Sequence, residues 1–335
     1  MTVEYLKTIG IKTQSPRGRG FLFPYDVAFA SDGQIYALNR GRVRQGLGTR
    51  IQMFNYDEEW LGEFGEGDGT GPSNFQLPVS IAFNSKDHLH VSDEGLGEIK
   101  VFDREGTPVA QLGKAGVDGG SLKFPTGLAI DGDDNLYVVE RGRNRVHKLS
   151  PEGETMLIWG EEGDEDGQFD MPWGVTIDGD GLVYIADWRN DRIQKFTPEG
   201  EFLASFGESG TGDGQFHRPS SVAVDTRGTI YVTDWGNERV QVLGPDGEFR
   251  QMLRGEATLS KWAEEWLDVN RDEQTARDGS DLRMQHLPKH LGTPYQIGAQ
   301  TEHLFWGPVS AKVDGKDRLY ISEHSRARIQ IYATN

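Results

Sequence analysis

Short alternations of apolar and polar residues run along most of the chain, each bounded by Gly, Asp, Asn or Pro. Val175-Thr176-Ile177 and Val183-Tyr184-Ile185 are the clearest pair, with every second residue apolar, the period of a half-buried strand. Asp178–Gly181 (DGDG) separates them with residues suited to a tight turn. A third strand is predicted at Arg192–Phe196, and a Pro-Glu-Gly turn at Pro198 leads to a fourth at Phe202–Gly207. The unit then recurs: Phe216–Leu243 repeats Phe169–Phe196 almost position for position.

Six units are indexed by a proline before the first strand: Pro24, Pro78, Pro125, Pro172, Pro219 and Pro308. From each proline to a polar residue closing the second strand the distance is the same: Pro24–Asn39, Pro78–Asp93, Pro125–Glu140, Pro172–Asp187, Pro219–Asp234 and Pro308–Glu323. A repeat of this length predicts propeller blades or a solenoid. Val3–Ile9 stands alone at the start and matches the strands that close later units, such as Leu157–Gly160 and Phe202–Gly207. The last unit lacks such a strand, so Val3–Ile9 is expected to complete it and to close a ring with no free sheet edge.

The pattern P-x-G-V-A-V-D … Y-V-A-D-x-x-N-x-R-I-Q-V-F, seen in Pro172–Phe196 and Pro219–Leu243 and more loosely in Pro125–Leu149, resembles NHL repeats. The resemblance covers nearly the whole chain and implies an all-β fold, a six-bladed β-propeller forming one domain over residues 1–335. For function it implies a range: amidating lyases, antibiotic lyases, sensor domains, and RNA-binding or protein-binding scaffolds.

Two segments depart from the repeat. Arg40–Thr49 (RGRVRQGLGT) lengthens the first unit, and Leu253–Glu302 adds about forty residues before the sixth. In the second, Ser260 is placed to cap a helix from Lys261 to about Val269, with Trp262, Ala263, Trp266 and Leu267 on one face. The remainder is polar and broken by Gly and Pro. A long excursion of this kind is expected to be a lid or an interface for a protein partner or self-association.

Strand direction alternates within a blade, so the loops beside each proline and those after each second strand share one face of the disc. Both insertions attach near that face, which makes it the expected site. Five second strands end in a carboxylate, and five third strands begin with arginine: Arg50, Arg145, Arg192, Arg239 and Arg328. Repeated Asp/Glu–Arg pairing explains most of these as loop staples. The second unit carries Glu98 in place of the arginine, so Asp93 is expected to be free. One position further round, the residues differ from unit to unit: Arg40, Glu94, Arg141, Trp188, Trp235 and His324.

Composition narrows the chemistry. A formal charge of −18 argues against general nucleic-acid binding, and with no cysteine there is no thiolate catalysis and no Cys-ligated zinc. No membrane span is found, and MTVEYLKTIG does not read as a secretion signal, so a cytoplasmic protein is expected. Gly65–Gly71 and Gly210–Gly214 lack the helix that a phosphate loop feeds, which excludes a nucleotide cofactor of that type. The resemblance to amidating lyases implies zinc held by histidines from separate blades. Phe23, Leu77, Phe124, Met171 and Arg218 precede the prolines here, so that pattern is not reproduced. If a divalent metal binds, His217, His303 and His324 are its candidates. His286 and His290 have helical spacing, but Pro288 between them breaks the helix such a pair needs.

The resulting expectation is a small-molecule lyase or hydrolase acting at the mouth of the central channel on an anionic, aromatic or sugar-like substrate. His324 or His303 serves as base, and Asp93 or Glu94 as acid or metal ligand. Arg40 and Arg141 clamp an anionic group. Trp173, Trp188 and Trp235 are stacking walls, with Tyr25, Asp26 and Trp306 beside them; alternatively the tryptophans simply plug the channel. The second expectation is a non-catalytic scaffold that binds a protein or peptide, with Trp262 and Trp266 as anchors.

Overall fold

The computed structural model describes residues 2–15, 17–42, 47–113, 121–282, 288 and 292–335, so His286 and His290 lie outside the described residues. Six four-stranded antiparallel sheets form the six blades of a propeller. Blade one comprises Pro24–Phe29, Ile35–Asn39, Arg50–Phe54 and Trp60–Phe64. Blade two comprises Pro78–Phe83, Leu89–Asp93, Glu98–Phe102 and Pro108–Leu112, and blade three Pro125–Ile130, Leu136–Glu140, Arg145–Leu149 and Thr155–Trp159. Blade four is Val175–Ile177, Val183–Asp187, Arg192–Phe196 and Phe202–Phe206, and blade five Pro219–Val224, Ile230–Asp234, Arg239–Leu243 and Phe249–Leu253. Blade six takes Pro308–Val313, Arg318–Glu323 and Arg328–Thr334, and its outer strand is Val3–Ile9, paired from Val3↔Thr334 to Ile9↔Ile329. The ring therefore closes as the sequence implies.

The core lies between neighbouring sheets. Three residues before five of the prolines stands a fully buried phenylalanine (Phe21, Phe75, Phe169, Phe216 and Phe305), and the third unit has Leu122 there. The rings of Phe21, Phe75, Phe169 and Phe216 each need a glycine at the end of the preceding outer strand. A Cβ at Gly160 would come within 2.5 Å of Phe169, and one at Gly207 within 2.2 Å of Phe216. The Trp-Gly and Phe-Gly endings of the fourth strands are thus sockets for the next blade.

The insertion begins with helix α1, Lys261–Val269, capped by Ser260, whose hydroxyl accepts from Ala263 N–H and donates to the Gly10 carbonyl at 2.6 Å. Its bounds are those expected from sequence, and it packs into the wall of the propeller. Trp262 is fully buried between Phe21 and Phe54, 5.6 Å from each ring, and its indole N–H donates to the Glu58 carbonyl at 2.5 Å. The outer strand of blade six contributes Ile9 where blades one, three and four contribute Phe64, Trp159 and Phe206. Trp262 fills the groove that the smaller Ile9 leaves, wedging α1 between the last blade and the first. Trp266, expected on the same buried face, is 43% exposed. Helices α2 (Arg271–Asp278) and α3 (Pro294–Gln300) follow in the stretch expected to be irregular. For α3 the reason is local: Thr293 and Gln296 form a capping box, and Pro294 occupies the first helical turn, where its missing N–H costs nothing. Among the described residues no helix is long and apolar enough to cross a membrane.

Candidate functional site

The residue closing each second strand does the same work in all six blades. Its side chain accepts the backbone N–H two residues before the blade's proline: Asn39 from Leu22, Asp93 from Gln76, Glu140 from Lys123, Asp187 from Asp170, Asp234 from His217 and Glu323 from Trp306. The staple fixes the loop that leads into the inner strand. Asp93 is not free, contrary to expectation. It is fully buried and, lacking an arginine, accepts further N–H groups from Leu77, Gly95 and Leu96 at 2.9 to 3.1 Å. Burial raises its pKa above the usual carboxylate value, with those N–H groups opposing the rise. In blade three hydrogen bonds outweigh burial, and those from His147, Arg145 and the Lys123 backbone N–H hold Glu140 down at about 2. These carboxylates stand at the ring's structural positions, away from the mouth.

One residue further on, the side chains gather at the mouth of the channel. Tyr25, Trp173, Trp188, Trp235 and His324, with Ser220 and Val309, line a cup of about 220 Å³. The three indoles form a stair, Trp173 to Trp188 and Trp188 to Trp235 each 6.4 Å apart. His324 stacks on Phe23 at 4.7 Å and meets Tyr25 edge-on at 5.4 Å. Burial first, then the charges of Arg40 and Lys12, depress its pKa to about 4. The imidazole is therefore neutral at physiological pH, and its Nδ1 lies 3.3 Å from the Ser325 hydroxyl.

The two arginines expected to clamp an anion are held by an acid instead. Glu94 is buried between them, bonded to Arg40 through one oxygen and to Arg141 through the other at 2.8 Å. Arg40 lies over the Tyr25 ring at 4.7 Å and Arg141 over Trp173 at 4.9 Å, so the triad supports the aromatic wall. Glu94 is thus an ion-pair partner rather than an available acid. The residue that sequence reasoning passed over is Arg218. Its guanidinium lies 4.8 Å from the Trp188 ring, and among the described residues no acid pairs with it. The signal was available: Arg218 is the one charged residue among the five that precede the prolines Pro24 to Pro219.

Other expected members fall elsewhere. Asp26 points into the channel, where Ser80 and Ser310 donate to it at 2.7 and 2.6 Å, Ile81 and Val27 N–H at 2.9 Å, and Lys312 lies 3.4 Å away. It ties three inner strands together and is saturated. Trp306 lies beyond the cup, edge-on to Tyr295 of α3 at 5.7 Å. His303 is exposed on the loop returning to blade six, and His217 is about half exposed beside Asp191. Among the described residues no three His, Asp or Glu side chains come together to hold a metal ion, so the three candidate histidines do not form one site. No described residue of the insertion lines the cup.

The position of Trp173 is set by the neighbouring blade. Its carbonyl accepts Gly127 N–H at 2.8 Å and the Thr126 hydroxyl at 3.0 Å, and the inner strand of blade four shortens to Val175–Ile177 as a result. A Cβ at Gly127 would come within 2.6 Å of that carbonyl, so glycine is required there.

Residues 122–149, 169–196 and 216–243, within blades three, four and five, match the NHL repeat family. A human protein, NHL repeat-containing protein 3, is 34% identical over 103 residues, which is 31% of this chain. The chain spans little more than a quarter of that relative's length, 28%. Among solved structures, virginiamycin B lyase from Staphylococcus aureus aligns over 100% of both chains, with a TM-score of 0.59 and 11% identity. A catalytically inactive histidine-to-alanine variant of that lyase with quinupristin gives 0.60 and 12% over the same coverage. A Bacteroides thetaiotaomicron protein of unknown function gives 0.63 and 16%, covering 99% of this chain and 75% of its own. These structural likenesses concern the fold, and with the repeats they agree on one conclusion: the chain is a six-bladed β-propeller whose third, fourth and fifth blades carry NHL repeats.

Proposed function

We propose that the chain is a small-molecule enzyme of lyase or hydrolase type, acting in the aromatic cup on a substrate with a flat or aromatic body and an anionic group. The observation that carries this reading is a neutral imidazole, His324, set among four aromatic side chains at the open end of the channel. The indole stair offers faces for a flat body. Arg218, free of an acid partner among the described residues, offers the charge for an anionic group. His324 stays unprotonated across physiological pH and can accept a proton. In a lyase reaction it removes a C–H proton while the bond to a leaving group on the adjacent carbon breaks, those electrons forming a double bond. In a hydrolase reaction it takes the proton of an attacking water. An anionic substrate near Arg40 and Lys12 offsets the charges that depress the imidazole and makes it a stronger base when loaded.

The first compound to incubate with the protein is quinupristin, followed by aryl esters and aryl glycosides bearing a carboxylate, with products followed by mass spectrometry. Turnover lost in His324→Ala and reduced at least tenfold in Arg218→Ala is the expected result. Turnover that survives His324→Ala unchanged would sink the proposal. The scaffold reading retains one observation in its favour, Trp266 and Val269 exposed side by side on α1. It loses Trp262, which is an internal wedge.

A further inference from the structure

A second cavity, of about 370 Å³, lies beneath α3 and outside the cup. Pro294, Ile297, Leu304 and Phe305 give it apolar walls, and two charged side chains line it, Glu238 and Arg254. Glu238 occupies a left-handed position after the second strand of blade five, as Asn144 does in blade three and Asp191 in blade four. All three side chains staple the next blade, accepting the N–H of the residue before its proline: Asn144 from Met171, Asp191 from Arg218, Glu238 from Gly307. Asp191 uses its second oxygen as well, accepting the Ser209 hydroxyl at 2.6 Å. The residue of blade five equivalent to Ser209 is Glu256, which has no hydroxyl to give. The second oxygen of Glu238 consequently has no partner among the described residues, although the side chain is more than nine-tenths buried and lines the cavity. Arg254 likewise has no acid partner among the described residues, and it does not reach Glu238.

We propose that this cavity is a second ligand site, built for a small zwitterion with an aliphatic side chain, its ammonium group on Glu238 and its carboxylate on Arg254. A carboxylate oxygen that opens on the cavity with no donor among the described residues favours a cation that brings its own hydrogens. The Arg254 guanidinium, which lines the same cavity, receives the carboxylate, so a simple amine uses only part of the site. Ile297, Leu304 and Phe305 then cover the side chain, and the volume accommodates a residue the size of leucine. Burial, opposed by Gly307 N–H and aided by the nearby Glu323, lifts the Glu238 pKa to about 7. Glu323 is itself paired with Arg328, and Arg254 is the cation lining the same cavity. Ammonium binding requires ionised Glu238, so affinity at pH 6 is expected to be roughly tenfold lower than at pH 8.

Isothermal titration of the full chain with L-leucine tests this independently of any activity at the cup. One equivalent is expected to bind. 3-Methylbutylamine and 4-methylpentanoate, each lacking one of the two charges, are expected to bind at least tenfold more weakly. Glu238→Gln keeps a carbonyl oxygen for Gly307 N–H and should fold normally while losing at least tenfold in leucine affinity; Arg254→Ala, at an exposed position, is the second variant and should lose as much. The proposal is overturned if the folded parent binds no leucine at millimolar concentration, if either variant binds it as well as the parent does, or if the amine binds as tightly as leucine.

Discussion

Two rings of side chains, adjacent in sequence, divide the work of this propeller. The residue fifteen positions after each blade proline is buried, nearly constant in chemistry and committed to a backbone N–H of its own blade. The residue at the next position faces the mouth and varies around the ring: Arg40, Glu94, Arg141, Trp188, Trp235 and His324. The first ring repeats because every blade must solve the same problem, how to hold the loop that enters its inner strand. The second varies because arginine, glutamate, tryptophan and histidine side chains around one axis make a single asymmetric cup. A titratable residue in the constant ring is therefore a poor candidate for chemistry, however suggestive its type, and Asp93 illustrates the point.

The largest expected effect breaks the constant ring. Asp234→Ala leaves Arg239 and Asn237 without their carboxylate inside blade five and strips the acceptor from His217 N–H. Removing one partner of a buried pair costs about 3–5 kcal/mol, and chemical denaturation should show that loss. Trp188→Ala, in the variable ring, should change stability by less than about 1.5 kcal/mol while removing ligand binding in the cup, read by tryptophan emission. Comparable stability losses in the two variants would erase the distinction between the rings.

Glu94→Gln is intermediate, because Glu94 belongs to the variable ring yet is buried in an ion-pair triad. A loss of about 2 kcal/mol is expected from uncoupling Arg40 and Arg141, together with tighter binding of anionic aromatics as the two charges become available. Weaker anion binding would show that Glu94 positions the wall and that the charges themselves contribute nothing.

The smallest effect is a pH dependence. The folded-state pKa of His324, about 4, lies below its unfolded value, so the unfolded chain takes up the proton first. Stability from the neutral ring is complete above about pH 6.5 and is lost as pH falls through 6.5 to 4. His324→Gln should flatten the acid limb of a plot of Tm against pH in that window. The flattening will be partial, because burial depresses His90 to about 4 as well. An unchanged limb would mean that the imidazole is better solvated than its packing on Phe23 and Tyr25 implies.

Much of the fold was legible because it depends on local, repeated features. Period-two apolar patterns, Asp/Gly turns, the proline index and the closing strand Val3–Ile9 each follow from short-range backbone preference and from burying one face of a sheet. The α1 bounds were legible for the same reason, through Ser260 and a helical apolar stripe. The variable ring was legible as a set of positions, since a fixed spacing places one residue of every blade at the mouth.

What each side chain does there was decided only by tertiary contacts. Whether Arg40 and Arg141 are free depends on Glu94 arriving from blade two, and whether Asp93 is free depends on how its own loop folds back over it. Whether Trp262 anchors a partner or fills the chain's own groove depends on the size of Ile9, some 250 residues away in sequence and beside it in space. Spacing fixes which residues share a ring because the backbone repeats. Charge pairing and cavity filling join residues from different blades, and that information exists only once the ring has closed.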